Sequence, residues 1–362
     1  MKMKKKPKIL IIGSGIVGAS IALSCLNLGA DVVVVEKDNL GGAASSNSFG
    51  WINASFAESP AYFDLRDAAV NAFRNLKAEL QLNDYVSWHG TLWWEDSGDE
   101  LNKQYNNLID RGYTAKLLNK DEIKILEPNL MDLPEVAIFT PLEGAAEADR
   151  VALAMLDKLT DGGGTVISGC RVVSLKFKKG RVSGVETNIG EISCDIVVLA
   201  TGAAAQKGLL GIDWNLPMQN KKGLIVQTSP VPDLINHVLM TNDVHFKQNV
   251  DGTLSAGEIF SGDLEENIVA LDLASDVLAR ISRKLDSSAR LVPKNIKIGT
   301  RPIPIDGFPV VGELDGHKGV FVAVMHSGVT LAPLVGQLLA LEMLKNSKSP
   351  LLESFRPNRF LN

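Results

Sequence analysis

Gly13, Gly15 and Gly18, followed at the end of the next apolar run by Glu36, form a constellation whose spacing specifies a chemistry. The first glycine permits a tight turn, the second lets backbone approach a pyrophosphate, and the third lets a helix pack close to a strand. The helix that starts at Ile16 and Val17 presents free N–H groups and the positive end of its dipole to phosphate. Glu36 can accept both hydroxyls of an adenosine ribose, and its charge repels a 2′-phosphate, which disfavours NADP. The motif alone does not separate FAD from NAD.

The elements such a motif needs are present. Lys8 to Ile12 reads as a short buried strand, Ile16 to Leu28 as an apolar helix ending at Gly29, and Asp31 to Glu36 as the next strand, making a βαβ unit. The same glycines also admit a second reading, a structural turn without a ligand. A basic start before the apolar stretch Ile9 to Leu28 superficially resembles a secretory signal, but the three glycines interrupt it. After Glu36 and Lys37, Leu40 to Gly50 is rich in small residues and can lie against a cofactor or form a flexible loop.

The composition sets the frame. With 362 residues, 45% apolar and 22% charged, and a net charge of −5, the chain falls among soluble globular proteins of up to two or three domains. Its acidity argues against nucleic acid as a partner, and the basic run Met1 to Lys6 reads as a solvated start. Cys25, Cys170 and Cys194 are far apart and lack metal-ligand spacing, so no metal is expected and a reducing cytoplasm fits best. No apolar stretch reaches the ~20 uninterrupted residues of a transmembrane segment; peripheral association at the inner membrane stays open.

Two further segments complete a pattern. Asp195 to Gly202 is a buried strand ending in Thr201-Gly202, and Gly299 to Gly312 precedes the run Val320 to Pro333. Taken in order with the first two stretches, they resemble the flavoprotein family of glycine oxidase, D-amino-acid dehydrogenase and sarcosine oxidase. The resemblance implies FAD and an α/β fold: a Rossmann-like FAD-binding domain with an inserted antiparallel-sheet substrate domain. It also implies that Glu36 and Lys37 sit at the adenosine, that Ser45, Ser46, Gly50 and Trp51 run along the pyrophosphate toward the flavin, and that Val172 lies beside the adenine. Thr201-Gly202 resembles a second FAD-contacting turn, with an ordinary strand end as its alternative. His326, Ser327, Gly328, Val329 and Thr330 resemble the segment around the pyrimidine end of the isoalloxazine.

Val329 to Lys345 is apolar nearly all round and predicts a buried helix whose N-terminus would stabilise negative charge at flavin N1 and the C2 carbonyl. From the motif positions, residues 1–82, 142–211 and 298–362 are expected to form the FAD-binding domain, and 83–141 and 212–297 the substrate domain. In the former, Ser59 and Pro60 open a helix, Leu153 to Leu159 forms another, and Val172 to Phe177 and Val182 to Thr187 make a hairpin. In the latter, Val86 to Trp94, Gly223 to Thr228 and Thr253 to Ala256 read as an antiparallel sheet. Helices at about Ser97 to Arg111 and Leu271 to Leu285 are expected to cover one face, leaving the other to roof the flavin.

For the chemistry, a flavin accepts the electrons, so the protein need only hold a C–H bond against it, orient the substrate and exclude water. The neutral amine reacts, and a dedicated general base is not required. Arg301 matches a carboxylate-binding arginine of the glycine oxidase branch and can grip a carboxylate with two parallel hydrogen bonds; its alternative is a structural pair with Asp306. His245 lies where that branch carries a substrate-facing tyrosine, the alternative being a structural histidine. Trp51, Trp93 and Trp94 could wall a cationic amine, and only Trp51 has an argument from position.

The chain departs from the branch at Val324 to Thr330, where a second arginine is missing, which leaves the substrate open. The usual positions of covalent flavin attachment hold neither histidine nor cysteine, so dissociable FAD is expected. The expected activity is oxidation of a small amine or amino acid, D-configured, glycine-like or N-alkylated. Its rivals are a 2-hydroxy-acid dehydrogenase and a non-catalytic electron-transfer subunit. Whether dioxygen, a quinone or a carrier protein reoxidises the flavin, and whether the chain forms a homo-oligomer, the residues leave open.

Overall fold

The computed structural model describes residues 6–360 apart from 207–210, 213, 220, 261–265 and 287–289, so all of the basic opening run but Lys6 lies outside the described residues. Lys8–Ile12 is the inner strand of a six-stranded sheet. The order is Val310–Glu313, Val320–Val324, Ile196–Leu199, Lys8–Ile12, Asp31–Val35 and Thr165–Ile167, parallel throughout except for the first pair. Its strands are continuous apolar runs because both faces are covered. Ile9, Ile11, Val32 and Val34 meet helices Ile16–Asn27, Ala148–Asp161 and Gly328–Lys345. Leu10, Val33 and Val35 meet the three-stranded meander Val172–Lys178, Arg181–Thr187 and Gly190–Ser193.

The first and last helices are pressed together by small residues. A Cβ on Gly336 would stand 2.3 Å from Ser20 Oγ, and that hydroxyl donates to the Ala332 carbonyl at 2.7 Å. The two helices therefore begin side by side: a Cβ on Gly328 would meet Val17 Cγ2 at 3.2 Å. Gly328–Lys345 is long and apolar enough to cross a membrane, but 56% of it is buried inside the protein, as befits a core helix. Helix Pro60–Glu79 starts as read from sequence, with Ser59 Oγ accepting from the Tyr62 N–H at 3.2 Å and Pro60 in the first turn. Ala148–Asp161 starts five residues before Leu153.

A second, eight-stranded sheet runs in the order Pro293–Thr300, Lys222–Pro230, Thr253–Phe260, His245–Gln248, Val238–Thr241, Thr91–Trp94, Val136–Thr140 and Lys116–Asn119. Three features differ from the sequence expectation. The sheet is not wholly antiparallel: Val238–Thr241 and Thr91–Trp94 pair in parallel, at the seam where two distant chain segments meet and no hairpin fixes direction. The expected strand Val86 to Trp94 is split, because Gly90, at φ +93°, turns the chain; Val86–Ser87 joins a small sheet with Trp51–Ile52 and Gly144–Ala146.

The two expected helices also part company. Glu266–Lys284 covers one face through Ala270, Ala274, Val277 and Ile281, whereas Leu101 and Leu108 of Gly98–Asp110 belong to the core on the opposite face of the same sheet, with Trp93, Ile138 and Met240.

Candidate functional site

The glycine turn is built by crowding. A Cβ on Gly13 would lie 2.4 Å from the Ala200 carbonyl oxygen and one on Gly18 2.1 Å from the Gly13 oxygen, so strand end, turn and helix fit only without side chains. Gly15 faces Gly42, whose Cβ would stand 2.5 Å from the Gly15 α-carbon, and Ser45 Oγ accepts the Ile16 N–H at 3.1 Å. No side chain of the N-cap residue closes the helix at Ile16, nor does Ser327 cap the one at Gly328. Two neighbouring helices thus present their positive ends together. Glu36 accepts from Ser14 N and Oγ, each at 3.0 Å, and from Asp38 N at 3.1 Å, which fixes the carboxylate beside the turn. Lys37 points away to Asp38 at 3.2 Å.

Val172 is buried near Glu36, since the Cys170 N–H donates to the Glu36 carbonyl. Ala200 abuts the glycine turn, and the Thr201 hydroxyl that follows it is buried with no hydrogen-bond partner among the described residues. Gly202, at φ +55°, has open space beside it.

Residues 46–51 cross beneath the eight-stranded sheet. Lys297 Nζ donates to the Ser46 carbonyl at 2.9 Å, Asn47 lies against Gly299, Phe49 against Gly257, and the Trp51 indole donates to Thr91 Oγ1 at 2.8 Å. At Gly50, φ +77°, a Cβ would overlap the Ala146 oxygen at 1.8 Å. Lys247 Nζ lies 3.5 Å from that same Cβ position; only 4% of this residue is exposed, and burial, partly offset by Glu147, Asp251 and Asp149, lowers its pKa to about 8. It lines a polar cavity of about 120 Å³ with Ser45, Ser46 and Ser48.

The following loop is clamped from both sides. Glu143, fully buried, accepts from Ala54 N at 3.2 Å, Ser55 N at 3.1 Å, Tyr113 OH at 3.2 Å and Thr140 Oγ1 at 3.0 Å. Burial raises its pKa, and hydrogen bonds from Ser55, Thr140 and Thr91 oppose the rise. Arg66 donates to the Asn53 and Phe56 carbonyls. Thr330 Oγ1 accepts from Asn53 N and donates to the Trp51 carbonyl, so this loop and the last helix are one unit. Asn53 Oδ1 is buried without a partner among the described residues.

His326 precedes that helix with its side chain exposed to the cleft, and Tyr62 OH donates to Ser327 Oγ at 2.9 Å. The surrounding protein, and after it the cations Arg301, Arg66 and Lys221, lowers the His326 pKa to about 4, so its imidazole is neutral at neutral pH. Arg301 is thus close enough to act on His326. Its guanidinium lies over Gly223, and among the described residues no hydrogen bond or ion pair engages it. Burial lowers its pKa and Glu258 opposes this. Asp306, the expected alternative partner, is held by Arg359 at 2.7 Å and 3.3 Å.

His245 shares the sheet face of Ile225 and Gly257, and its Nε2 lies 2.6 Å from Glu95 Oε1. Trp93 and Trp94 are buried packing residues, whereas Trp51 is half-buried against Phe56. Sequence reading missed Glu143, Arg66, Lys247 and Glu95. A lone acid inside the apolar stretch before Gly144 was a usable signal for Glu143; nothing local marks Glu95.

These residues fit FAD. The crowded glycines leave backbone where phosphates would lie, neither helix N-terminus is closed by its own N-cap side chain, and Thr201 Oγ1 and Asn53 Oδ1 are buried acceptor or donor groups left without a partner among the described residues.

Comparison with known proteins agrees. The model of the family described as FAD dependent oxidoreductase matches residues 8–341. Glycine oxidase of Geobacillus kaustophilus is 24% identical over 352 residues, 93% of each chain. Sarcosine oxidase subunit beta of Rhodobacter capsulatus is 25% identical, covering 99% of this chain and 89% of its own. The crystal structure of L-proline dehydrogenase from P. horikoshii superposes with a TM-score of 0.86 at 25% identity over 99% of both chains.

Proposed function

The chain belongs to the FAD-dependent oxidoreductase family, and on that premise we propose that it oxidises a small amine or amino acid, with FAD bound non-covalently. The substrate class is a D-amino acid, a glycine-like or an N-alkylated one, in keeping with relatives named glycine oxidase and sarcosine oxidase. The observation that carries this reading is the Arg301 guanidinium, over Gly223 on the face shared with His245, near His326 and without a protein partner among the described residues. A carboxylate is the group it suits.

In this reading Gly13, Gly15, Ile16, Val17 and Gly18 hold the pyrophosphate, Glu36, Lys37 and Val172 the adenosine, and Ser45, Ser46, Gly50 and Trp51 the path toward the flavin. Thr201, Gly202 and His326 to Thr330 close around the remainder. Residues 1–82, 142–211 and 298–362 bind cofactor, and 83–141 and 212–297 bind substrate. Bound FAD supplies an acceptor at N5 for the C–H hydride, leaving an imine that water hydrolyses. Arg301 fixes the carboxylate, Trp51 and His245 border the substrate, and the roofing sheet excludes bulk water.

Anaerobic mixing with amines, amino acids and 2-hydroxy acids tests the proposal. Bleaching of the flavin band by amines alone is expected; bleaching by 2-hydroxy acids alone, or by no metabolite, overturns it. Admitting air afterwards, and then a quinone, identifies the acceptor.

A further inference from the structure

The polar cavity against residues 45–48 takes no part in the chemistry above. We propose that it binds a small α-amino acid as its zwitterion, the carboxylate on Lys247 and the ammonium on Glu147. The site is independent of the substrate that the flavin oxidises.

Strand pairing builds one wall of it. Phe246 is buried with Leu254 and Ala256 in the core beneath Glu266–Lys284, so Lys247 leaves the opposite face of its strand. Lys247 pairs with Ser255, Ser255 with Gln227, and Gln227 with Asn295, and this row of polar residues across four strands lines the cavity. Packing the row on apolar residues would strand its polar atoms, so it fronts a polar space. The facing wall is Ser46, Ser48 and the start of helix Ala148–Asp161. The neighbouring row, with Ile225 and Gly257, carries Phe49 and separates this one from Gly223 and the Arg301 guanidinium. Gly13, Thr201, Arg301 and His326 do not line the cavity.

Two charges stand in it unpaired. Only 4% of Lys247 is exposed, yet no hydrogen bond or ion pair engages its ammonium among the described residues; the Phe49 ring lies 5.9 Å away. Glu147, half-buried, is the N-cap residue of Ala148–Asp161, but its side chain makes no cap hydrogen bond and has no other partner among the described residues. Each feels the other's charge, and no ion pair joins them. The remaining charged groups of the lining are engaged or exposed. Asp251 accepts from Thr253 N at 3.0 Å and from Thr253 Oγ1 at 2.7 Å, and Asp149 accepts from Arg150 N at 3.0 Å. Lys297 donates to the Ser46 carbonyl, and Lys294 is exposed.

A buried ammonium without a counter-ion is costly, and a ligand carboxylate supplies one. A simple anion leaves Glu147 unmatched, whereas an α-amino acid carries both charges a few bonds apart and gives each a charge-assisted hydrogen bond. Ser48 Oγ accepts the Gly50 N–H at 3.0 Å, which leaves its own proton for the ligand carboxylate. The volume, about 120 Å³, is the liquid share of roughly four waters and admits an amino acid whose side chain is no larger than one or two methyl groups.

Equilibrium dialysis of the FAD-loaded protein against labelled 2-methylalanine tests this. That amino acid has no α-hydrogen, so a flavin cannot oxidise it and uptake is read without turnover. At concentrations that saturate the wild type, Lys247→Met is expected to take up one equivalent less. The same difference should persist when both proteins carry Arg301→Lys, which removes uptake at Arg301 from the comparison. Loss of the ammonium should weaken binding about 100-fold. Glu147→Gln, which keeps shape and loses charge, should weaken it about tenfold. Acetate and methylamine, each with one of the two charges, should displace the label only at concentrations at least about tenfold above those of unlabelled 2-methylalanine.

Equal uptake by wild type and Lys247→Met means that the cavity holds water alone and overturns the proposal. Uptake that Lys247→Met loses but Glu147→Gln keeps in full, with acetate as effective as the amino acid, makes this a plain anion site and overturns it equally.

Discussion

The Arg301 guanidinium lies over Gly223 so closely that a Cβ there would stand 2.8 Å from Nε and 3.0 Å from Nη2. Gly223 is paired with Ile259 on one side and Gly299 on the other, so it is held in the sheet and cannot retreat. Gly223→Ala should therefore displace the guanidinium while leaving the cofactor half intact. We expect KM for the amino acid to rise about tenfold, near 1.4 kcal/mol, with flavin content unchanged. Arg301→Lys, which loses one of two parallel charged bonds, should cost roughly 1.5–3 kcal/mol. Steady-state kinetics of both variants check the grip, and an unchanged KM in Arg301→Lys refutes it.

Gly18 tests the cradle. A Cβ placed 2.1 Å from the Gly13 carbonyl oxygen must push helix Ile16–Asn27 away from the turn. Gly18→Ala is expected to yield colourless protein and to cost about 1–3 kcal/mol in the apoprotein, the range for overpacking. Flavin released from the purified variant, together with its urea midpoint, measures both effects.

The cofactor half was legible because its signals are local. Glycine spacing, apolar strands and the acid at Glu36 all lie within one βαβ unit, and the structure returns them within a residue or two. The roof was less legible, since its pairing joins residues distant in sequence. The parallel seam between Val238–Thr241 and Thr91–Trp94 has no hairpin to announce it, and Gly90 gave no sign that it would divide a continuous apolar run. Glu95 meets His245 only through that seam, so no spacing rule could link them. The helix at about Ser97 to Arg111 was legible, but which face of the sheet Leu101 and Leu108 would cover depends on strand pairings made far along the chain.

Glu143 is the keystone of the loop that carries Asn53 and Phe56. Removing its carboxylate leaves the Ala54 and Ser55 N–H groups and two hydroxyls without their acceptor. Glu143→Ala is expected to destabilise the fold by about 3 kcal/mol or more, at 1–3 kcal/mol for each buried group left unsatisfied. Glu143→Gln keeps an oxygen toward Ala54 and Ser55 and should cost far less. Equal losses in chemical denaturation of the two variants refute the clamp.

His326 links the site to acid stability. Its folded pKa, lowered to about 4, lies below the ordinary 6.5, so between those values the unfolded chain binds the extra proton. Stability from the neutral imidazole is whole above about pH 6.5 and is lost as pH falls toward 4. In the apoprotein, His326→Gln should therefore match the wild type near neutrality and outlast it in acid. Urea midpoints that fall in parallel over this range contradict the placement of the imidazole.

Lys247 reverses the usual behaviour of a lysine. Its ammonium is buried beside Gly50 and its pKa is lowered to about 8, against 10.5 for an exposed lysine. Between those values the unfolded chain holds more protons, so stability rises with pH from about 8 to 10.5 and the penalty is complete below about 8. That shift corresponds to roughly 3 kcal/mol. Lys247→Met should accordingly be more stable than the wild type at about pH 7, by up to that amount, and lose its advantage as the wild-type amine deprotonates. Denaturation midpoints of both proteins at several pH values decide it. A difference that does not narrow toward high pH means that the amine is solvated in its polar cavity and carries no burial penalty.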